Sequence, residues 1–291
     1  MYDVCCIGHI TLDKIITRHS VVEMAGGTSF YFSNAIRNMD LHYLLATSIA
    51  ETEMHFVNDL RNNDIEVNVV PSAHTVFFEN NYAENQDYRT QSVLQKSDAF
   101  TATQLINIQA KIFHLGPLLA DDISTGIIKL LSQKGKVSLD VQGYLRKVEN
   151  EKVFSVDWPE KKEALQYVHI LKANETEMET LTGCSDVAQA AKILFAWGVK
   201  EIVITLGSKG SVIYDGSGFY TIPAFAPTTS VVDATGCGDT YMAGYLYQRI
   251  KEKSFQQAGE FAAAMATLKI EFSGPFTGSK KDVEDLLAKC R

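Results

Sequence analysis

Within Val232-Asp233-Ala234-Thr235-Gly236-Cys237-Gly238-Asp239, two carboxylates and two glycines stand directly ahead of the apolar run Tyr241-Met242-Ala243-Gly244-Tyr245-Leu246. The run has helical spacing, so a helix starts at its head. Glycines there let the chain turn tightly and leave N–H groups unshielded. A glycine turn feeding a helix N-terminus binds anions, because orphan N–H groups and the helix dipole both face outward. The charge of Asp239 would repel such an anion, so binding is not its task. A carboxylate beside an anion hole is what a general base needs when a hydroxyl attacks a phosphoryl group. The same residues also suit an ordinary glycine turn with Asp239 as helix N-cap.

Other candidates gather at the ends of strand-like segments. Gly8-His9-Ile10-Thr11-Leu12-Asp13 follows the first of these and carries a carboxylate able to accept from vicinal hydroxyls, or to cap a turn. Gly26 and Gly27 open a helix where backbone can approach a substrate closely, with the hydroxyls of Thr28 and Ser29 beside them. Arg146, six positions after Asp140, can fork onto a phosphate or pair with that carboxylate. Asn174 and Glu177 form a capping-box pattern at a helix start. Thr205-Leu206-Gly207-Ser208-Lys209-Gly210 closes the β-branched strand Ile202-Val203-Ile204, and Lys209 reads equally as a phosphate ligand or a solvated turn residue.

These residues need a scaffold that brings them to one edge. Strand patterns at Val4–Gly8, Tyr43–Ser48, Lys111–Leu115, Lys136–Asp140, Val168–Lys172 and Ile202–Thr205 alternate with helical ones at Ser29–Asn38, His55–Asn63, Asp122–Gln133, Asn174–Leu181 and Val187–Trp197. Further helices follow Asp239, cover Phe255–Phe272 and end near Lys281–Lys289. Alternation of this kind predicts a parallel sheet covered on both faces, with ligands at the C-terminal ends of its strands. Residues 14–24 and 66–97 break the pattern with short, β-branched and aromatic pieces that read as a separate small sheet, or as extra edge strands.

The 291 residues, 46% hydrophobic and 21% charged, suit one large α/β domain. A net charge of −8 without a basic run argues against nucleic acid or an anionic membrane as partner. Any phosphate must therefore be held locally. No Walker A loop, metalloprotease helix or serine-hydrolase elbow is present. Five scattered cysteines without metal spacing, and no signal peptide, predict reduced thiols in the cytoplasm. Cys5 and Cys6 read as small core residues.

Asp233-Ala234-Thr235-Gly236-Cys237-Gly238-Asp239 resembles the D-T-x-G-A-G-D signature of the ribokinase-like (PfkB) carbohydrate kinases, with Ala234 and Cys237 as the departures. Gly8…Asp13, Gly26-Gly27, Asn174…Glu177 and Thr205-Leu206-Gly207…Gly210 resemble the family's remaining landmarks in order, so the likeness covers nearly the whole chain. It implies a three-layer α/β/α sandwich with a mainly parallel central sheet and a small β-sheet lid, the lid also pairing with a second subunit. It implies ATP-dependent phosphorylation of a sugar or polyol, with Asp239 as base and Gly236, Cys237 and Gly238 as anion hole. Asp13, Gly26, Gly27 and Arg146 would then bind the acceptor. Asn174, Glu177, Thr205, Gly207 and Gly210 would serve the nucleotide, with Glu177 holding Mg²⁺ through water. Carbonyls near Asp233 and Thr235 would hold K⁺. The segment Ala262–Thr267 with Ser273-Gly274-Pro275 resembles the part that flanks adenine, or is close helix packing. The nearest asparagine to the diglycine is Asn34, which implies an acceptor other than ribose or fructose. Gln142-Gly143 between Asp140 and Arg146, with Phe78–Tyr82 and Arg89-Thr90-Gln91, is most similar to the inositol-kinase-type branch. Phe30, Tyr31, Phe78 and Tyr82 could instead form a slot for a nucleoside base. A non-catalytic sensor is the third reading.

Overall fold

The computed structural model describes residues 1–18, 20–82 and 89–290, the side chains of Tyr82 and Arg89 excepted. Its larger sheet has nine strands in the spatial order Phe219–Ile222, Ser211–Tyr214, Glu201–Thr205, Ile170–Asn174, Lys136–Asp140, Ala110–Leu115, Tyr2–Ile7, Tyr43–Ile49 and Glu66–Pro71. From Glu201–Thr205 to Glu66–Pro71 every pairing is parallel; the first two strands add antiparallel. Helices cover both faces, as strands buried on both sides require. One face packs Phe113, Ile128, Leu131 and Leu194 into a core, the other Phe32, Tyr245, Ala262 and Met265. Side-chain alternation along the first strand sends Cys5 to one core and Cys6 to the other, so both are small core residues as expected.

The second sheet has six strands, in the order Arg146–Glu149, Lys152–Ser155, Arg89–Gln95, Val76–Tyr82, Thr11–Ile16 and Val21–Gly26. The expected second, smaller sheet is present, and its strands differ from the expected residues at two places. Glu66–Pro71 does not join it but lies parallel to Tyr43–Ile49 at the edge of the large sheet. Apolar alternation marks that piece as a strand and is blind to which sheet it enters. The hairpin from Arg146 to Ser155, whose strands are short and charged, joins the sheet from outside the expected residues. Asn150 and Glu151, both at positive φ, close it in the manner of a two-residue hairpin turn. The expected lid residues at 83–88 lie outside the described residues.

The helix Cys237–Ile250, which carries Asp239, is tied to the sheet by one buried acid. Glu201 accepts from the Tyr245 hydroxyl at 2.9 Å and from Arg249 Nε and Nη2 at 3.1 and 3.0 Å, a bidentate fork. Removing one partner of a buried, hydrogen-bonded charge leaves the other uncompensated. Glu201→Ala is therefore expected to cost about 3 kcal/mol of unfolding free energy, read from the urea midpoint at constant slope. A loss under about 1 kcal/mol would mean that apolar packing alone holds this helix.

Candidate active site

Asp140, Asn174 and Thr205 end adjacent parallel strands, and Gly8 follows the strand Tyr2–Ile7, so all of them reach the C-terminal edge of the sheet. The glycine turn 233–239 lies over that edge. Gly236 is the N-cap of the helix Cys237–Ile250, at φ +76°. A β-carbon there would meet the Tyr31 ring, so this position requires glycine for both backbone and space. Inside the turn, the Thr235 N–H donates to Asp233 Oδ1 at 2.9 Å and the Cys237 N–H to Ala234 O at 3.2 Å. The Cys237 donor expected to face a ligand is thus already engaged. Among the described residues, the N–H groups of Gly238 and Asp239 have no backbone acceptor.

Beneath the turn is a buried cluster of charge. Lys172 Nζ donates to Asp140 Oδ2 at 2.9 Å and stands 3.8 Å from Glu177 Oε2. A β-carbon added to Gly238 would lie 3.3 Å from the same ammonium. Burial would raise the pKa of Asp140, but the Lys172 ammonium and the Gln142 N–H hold it below the usual range. The Lys172 pKa is raised: burial alone would lower it, and the surrounding carboxylates outweigh burial. Asp239 is pushed up to about 7, first by desolvation and then by the Asp140 charge, against the opposing pull of Lys172 and the Thr28 hydroxyl. A carboxylate poised near neutrality in a cleft has the proton affinity of a general base.

Two cavities meet at this cluster, and Lys172, Ala234 and Gly238 line both. The first, about 760 Å³, is polar: Asp13, Asn80, Gln91, Gln142 and Arg146 face it with Gly27, Gly236 and Asp239. Asp13 accepts from Thr11 Oγ1 at 2.6 Å and backs onto Gly26, where a β-carbon would strike its carboxylate. Gly27 caps the helix Thr28–Ile36 at φ +89° against His9 O. The second cavity, about 850 Å³, has Asn174, Thr205, Gly207 and Gly210 at one end. Phe225, Val231, Ala263, Ala266 and Ile270 form its apolar wall, so part of the small-residue helix does face a ligand-sized space.

Not every candidate lands where expected. Lys209 pairs with Glu175 at 3.3 Å and does not line the second cavity. Phe30 packs against the apolar core, while Tyr31, beside Gly236, and Phe78 both line the polar cavity, so two rings of the expected aromatic slot are in place; the Tyr82 side chain lies outside the described residues. Glu177 lines neither large cavity but a small adjoining cleft, with Gln142, Arg146 and Asn174. Its Oε2 accepts from the Asn174 N–H at 2.8 Å, completing the capping box; no protein donor is recorded for Oε1 among the described residues. One carboxylate with an oxygen to spare fits Mg²⁺ held through water. The expected K⁺ oxygens do not fit a free cation, because Lys269 Nζ already donates to Asp233 O at 2.8 Å. Sequence reading missed both Lys172 and Lys269. The available signal was a charge inside an otherwise apolar buried strand and helix, Ile170-Leu171-Lys172-Ala173 and Ala264–Ile270.

The family model described as pfkB family carbohydrate kinase matches residues 43–282. A ribokinase of Arabidopsis thaliana is 32% identical over 177 residues, 58% of this chain and 44% of its own length. A cytidine kinase of Thermococcus kodakarensis is 37% identical over 142 residues, 48% of each chain. The chain thus spans about half the length of these curated relatives, or less. A solved pyrophosphate-dependent kinase of the ribokinase family, complexed with a pyrophosphate analogue and myo-inositol, superposes with a TM-score of 0.85 at 28% identity, over 97% of this chain and 99% of that one.

The raised proton affinity of Asp239 has a sign that can be tested. Its folded-state pKa, about 7, lies above the unfolded value, so this group favours folding below about pH 4 and that contribution is lost as pH rises through 7. Asp239→Asn is expected to melt above the wild type at pH 8, with the gap closing as pH falls toward 4. Equal melting temperatures at both pH values would show that the fold does not disfavour the charged form.

Proposed function

The chain belongs to the pfkB family of carbohydrate kinases, and we propose that it transfers the γ-phosphoryl group of ATP to a hydroxyl of a sugar or polyol. The observation that carries this is the meeting of a polar and an apolar-walled cavity at one glycine turn, with Asp239 on the polar side. The acceptor lies in the polar cavity, where Asp13, Asn80 and Gln142 suit vicinal hydroxyls. The Asp239 carboxylate takes the hydroxyl proton as the oxygen attacks phosphorus. The N–H groups of Gly236 and Gly238, with that of Cys237 shared with Ala234, face the charge developing on the transferred group, and Lys172 lies behind them. Arg146 orients the acceptor or its phosphorylated product. The adenine rests on Ala263, Ala266 and Ile270, and its phosphates run past Thr205, Gly207 and Gly210. Mg²⁺ brought in with the nucleotide would neutralise phosphate charge, held through water by Glu177.

A second donor, pyrophosphate, is favoured by the solved relative that uses it. Pyrophosphate has no use for an apolar wall, and Lys172 is the one cationic side chain among the described residues lining the second cavity. A nucleoside acceptor, suggested by the cytidine kinase relative, would need a flat aromatic slot; Tyr31 and Phe78 line the polar cavity, but Asp13, Asn80, Gln91 and Gln142 around them suit hydroxyls better than a base. A non-catalytic sensor has no need of a carboxylate poised near neutrality. The five thiols are unpaired, in keeping with a cytoplasmic protein. Exposed Val21, Val22 and Phe154 on the small sheet are where a second copy would pair; dimers should be seen by sedimentation and lost in Val22→Asp.

Turnover decides the reading. With myo-inositol as acceptor, ADP release from Mg-ATP is expected, and phosphate release from pyrophosphate is expected to be negligible. Asp239→Asn should bind ATP and lose about 10²- to 10⁴-fold in kcat. For the wild type, kcat/KM should climb with pH to a plateau above about 7, since only deprotonated Asp239 accepts the proton. Undiminished activity in the asparagine variant would remove Asp239 from the mechanism. Turnover from pyrophosphate alone would replace the donor.

A further inference from the structure

Lys269 is the last but one residue of the helix Phe255–Ile270, and only 1% of it is exposed. Its ammonium donates to three oxygens: Asp233 O at 2.8 Å, Asp233 Oδ2 at 3.3 Å and Phe272 O at 3.3 Å. Two of these are backbone carbonyls from separate loops. An arrangement of carbonyl and carboxylate oxygens around one buried positive charge is what a dehydrated monovalent cation requires, and here a side chain supplies the charge. The same place is pinned from the other direction, since the Val232 and Asp233 N–H groups donate to Ile270 O at 2.8 and 3.2 Å. Asp233 is thereby fixed on both carboxylate oxygens, Oδ2 by Lys269 and Oδ1 by the Thr235 N–H at the head of the glycine turn.

We propose that the Lys269 ammonium is a built-in replacement for the monovalent cation that the family resemblance implies, and that it makes this chain independent of K⁺. It is a positioning residue: through Asp233 and Thr235 it holds the turn that leads into Gly236, Gly238 and Asp239. The proposal rests on the kinase reading for its catalytic consequence, though not for its structural one. A second unit charge entering the same oxygens would sit within a few ångströms of the ammonium, and the two would repel while competing for one set of acceptors. With Asp233 half-buried, the turn cannot do without a cation.

The test uses the whole chain and two variants that separate charge from volume. Lys269→Ala opens space in which K⁺ or methylammonium can take up the vacated oxygens; Lys269→Met fills that space with a neutral chain. In the wild type, melting temperature and turnover should be the same in KCl, NaCl and tetramethylammonium chloride at equal ionic strength. Lys269→Ala should melt lower by about 5 °C and lose at least tenfold in kcat in tetramethylammonium chloride, with KCl or methylammonium recovering both saturably. Lys269→Met should show the same losses without recovery. A saturable rise of wild-type melting temperature with K⁺ would overturn the proposal. Full activity and stability of Lys269→Ala without K⁺ would overturn it too. Should neither variant fold, the comparison of salts on the wild type still decides. Melting is read without substrates, so a chain with this salt pattern but no turnover would refute the kinase reading alone.

Discussion

Three carboxylates and one ammonium share the buried edge on which the rest of this molecule depends. Lys172 bonds Asp140, lies near Glu177 and stands directly under Gly238. The charges are not balanced, and the surplus falls on Asp239, the one of these three carboxylates for which no direct ion pair is seen. Its position near neutrality follows first from desolvation and then from that deficit. Each of the other acids is satisfied by a partner its own strand end supplies: Asp140 by the Gln142 N–H, Glu177 by the Asn174 N–H. The sheet therefore sets the proton affinity of a group carried on a helix. Parallel topology is what makes this feasible, because only parallel strands deliver successive C-terminal ends to one edge.

Burial also explains why the helix must be held so firmly. Partly desolvated carboxylates would relax toward water if the helix Cys237–Ile250 could shift by a turn. Glu201 fixes its far end through Tyr245 and Arg249, and Tyr31 bears on Gly236 at its near end. Between these points Tyr245, Leu246 and Met242 are wholly buried. Strain is thus not needed to raise the pKa of Asp239; burial, with the Asp140 charge held beside it, is enough.

Much of this was legible in the sequence, because its chemistry is local. The glycine turn, the capping box Asn174–Glu177 and the diglycine at Gly26 declare themselves within a few residues of chain. The parallel sheet followed from the alternation of apolar periods. What local patterns do not carry is pairing across distance. Asp140 and Lys172 are 32 positions apart and meet because their strands are neighbours, and Lys269 meets Asp233 across 36. The outer strands Ser211–Tyr214 and Phe219–Ile222, and the hairpin that begins at Arg146, are short pieces whose existence depends on a neighbour already in place. Arg146 thus reads as a residue following a strand end, while in the fold it opens a lid strand and faces the polar cavity.

Both buried lysines solve one problem set by composition. With a net charge of −8, the protein's long-range field opposes any polyphosphate, so cations must be supplied at close quarters. A mobile ion could do this, at the cost of dehydration and of losing its own freedom at each binding event. A lysine tethered to a rigid strand or helix meets that cost once, on folding. Lys172 has its stem in the apolar strand Ile170–Asn174 and Lys269 in a helix of small residues, so each ammonium reaches its oxygens without solvent between. The arrangement sacrifices adaptability, since a fixed charge cannot leave when the ligand does. What it secures is a turn whose donors are already held in place, in which little reorganisation remains when an anion arrives.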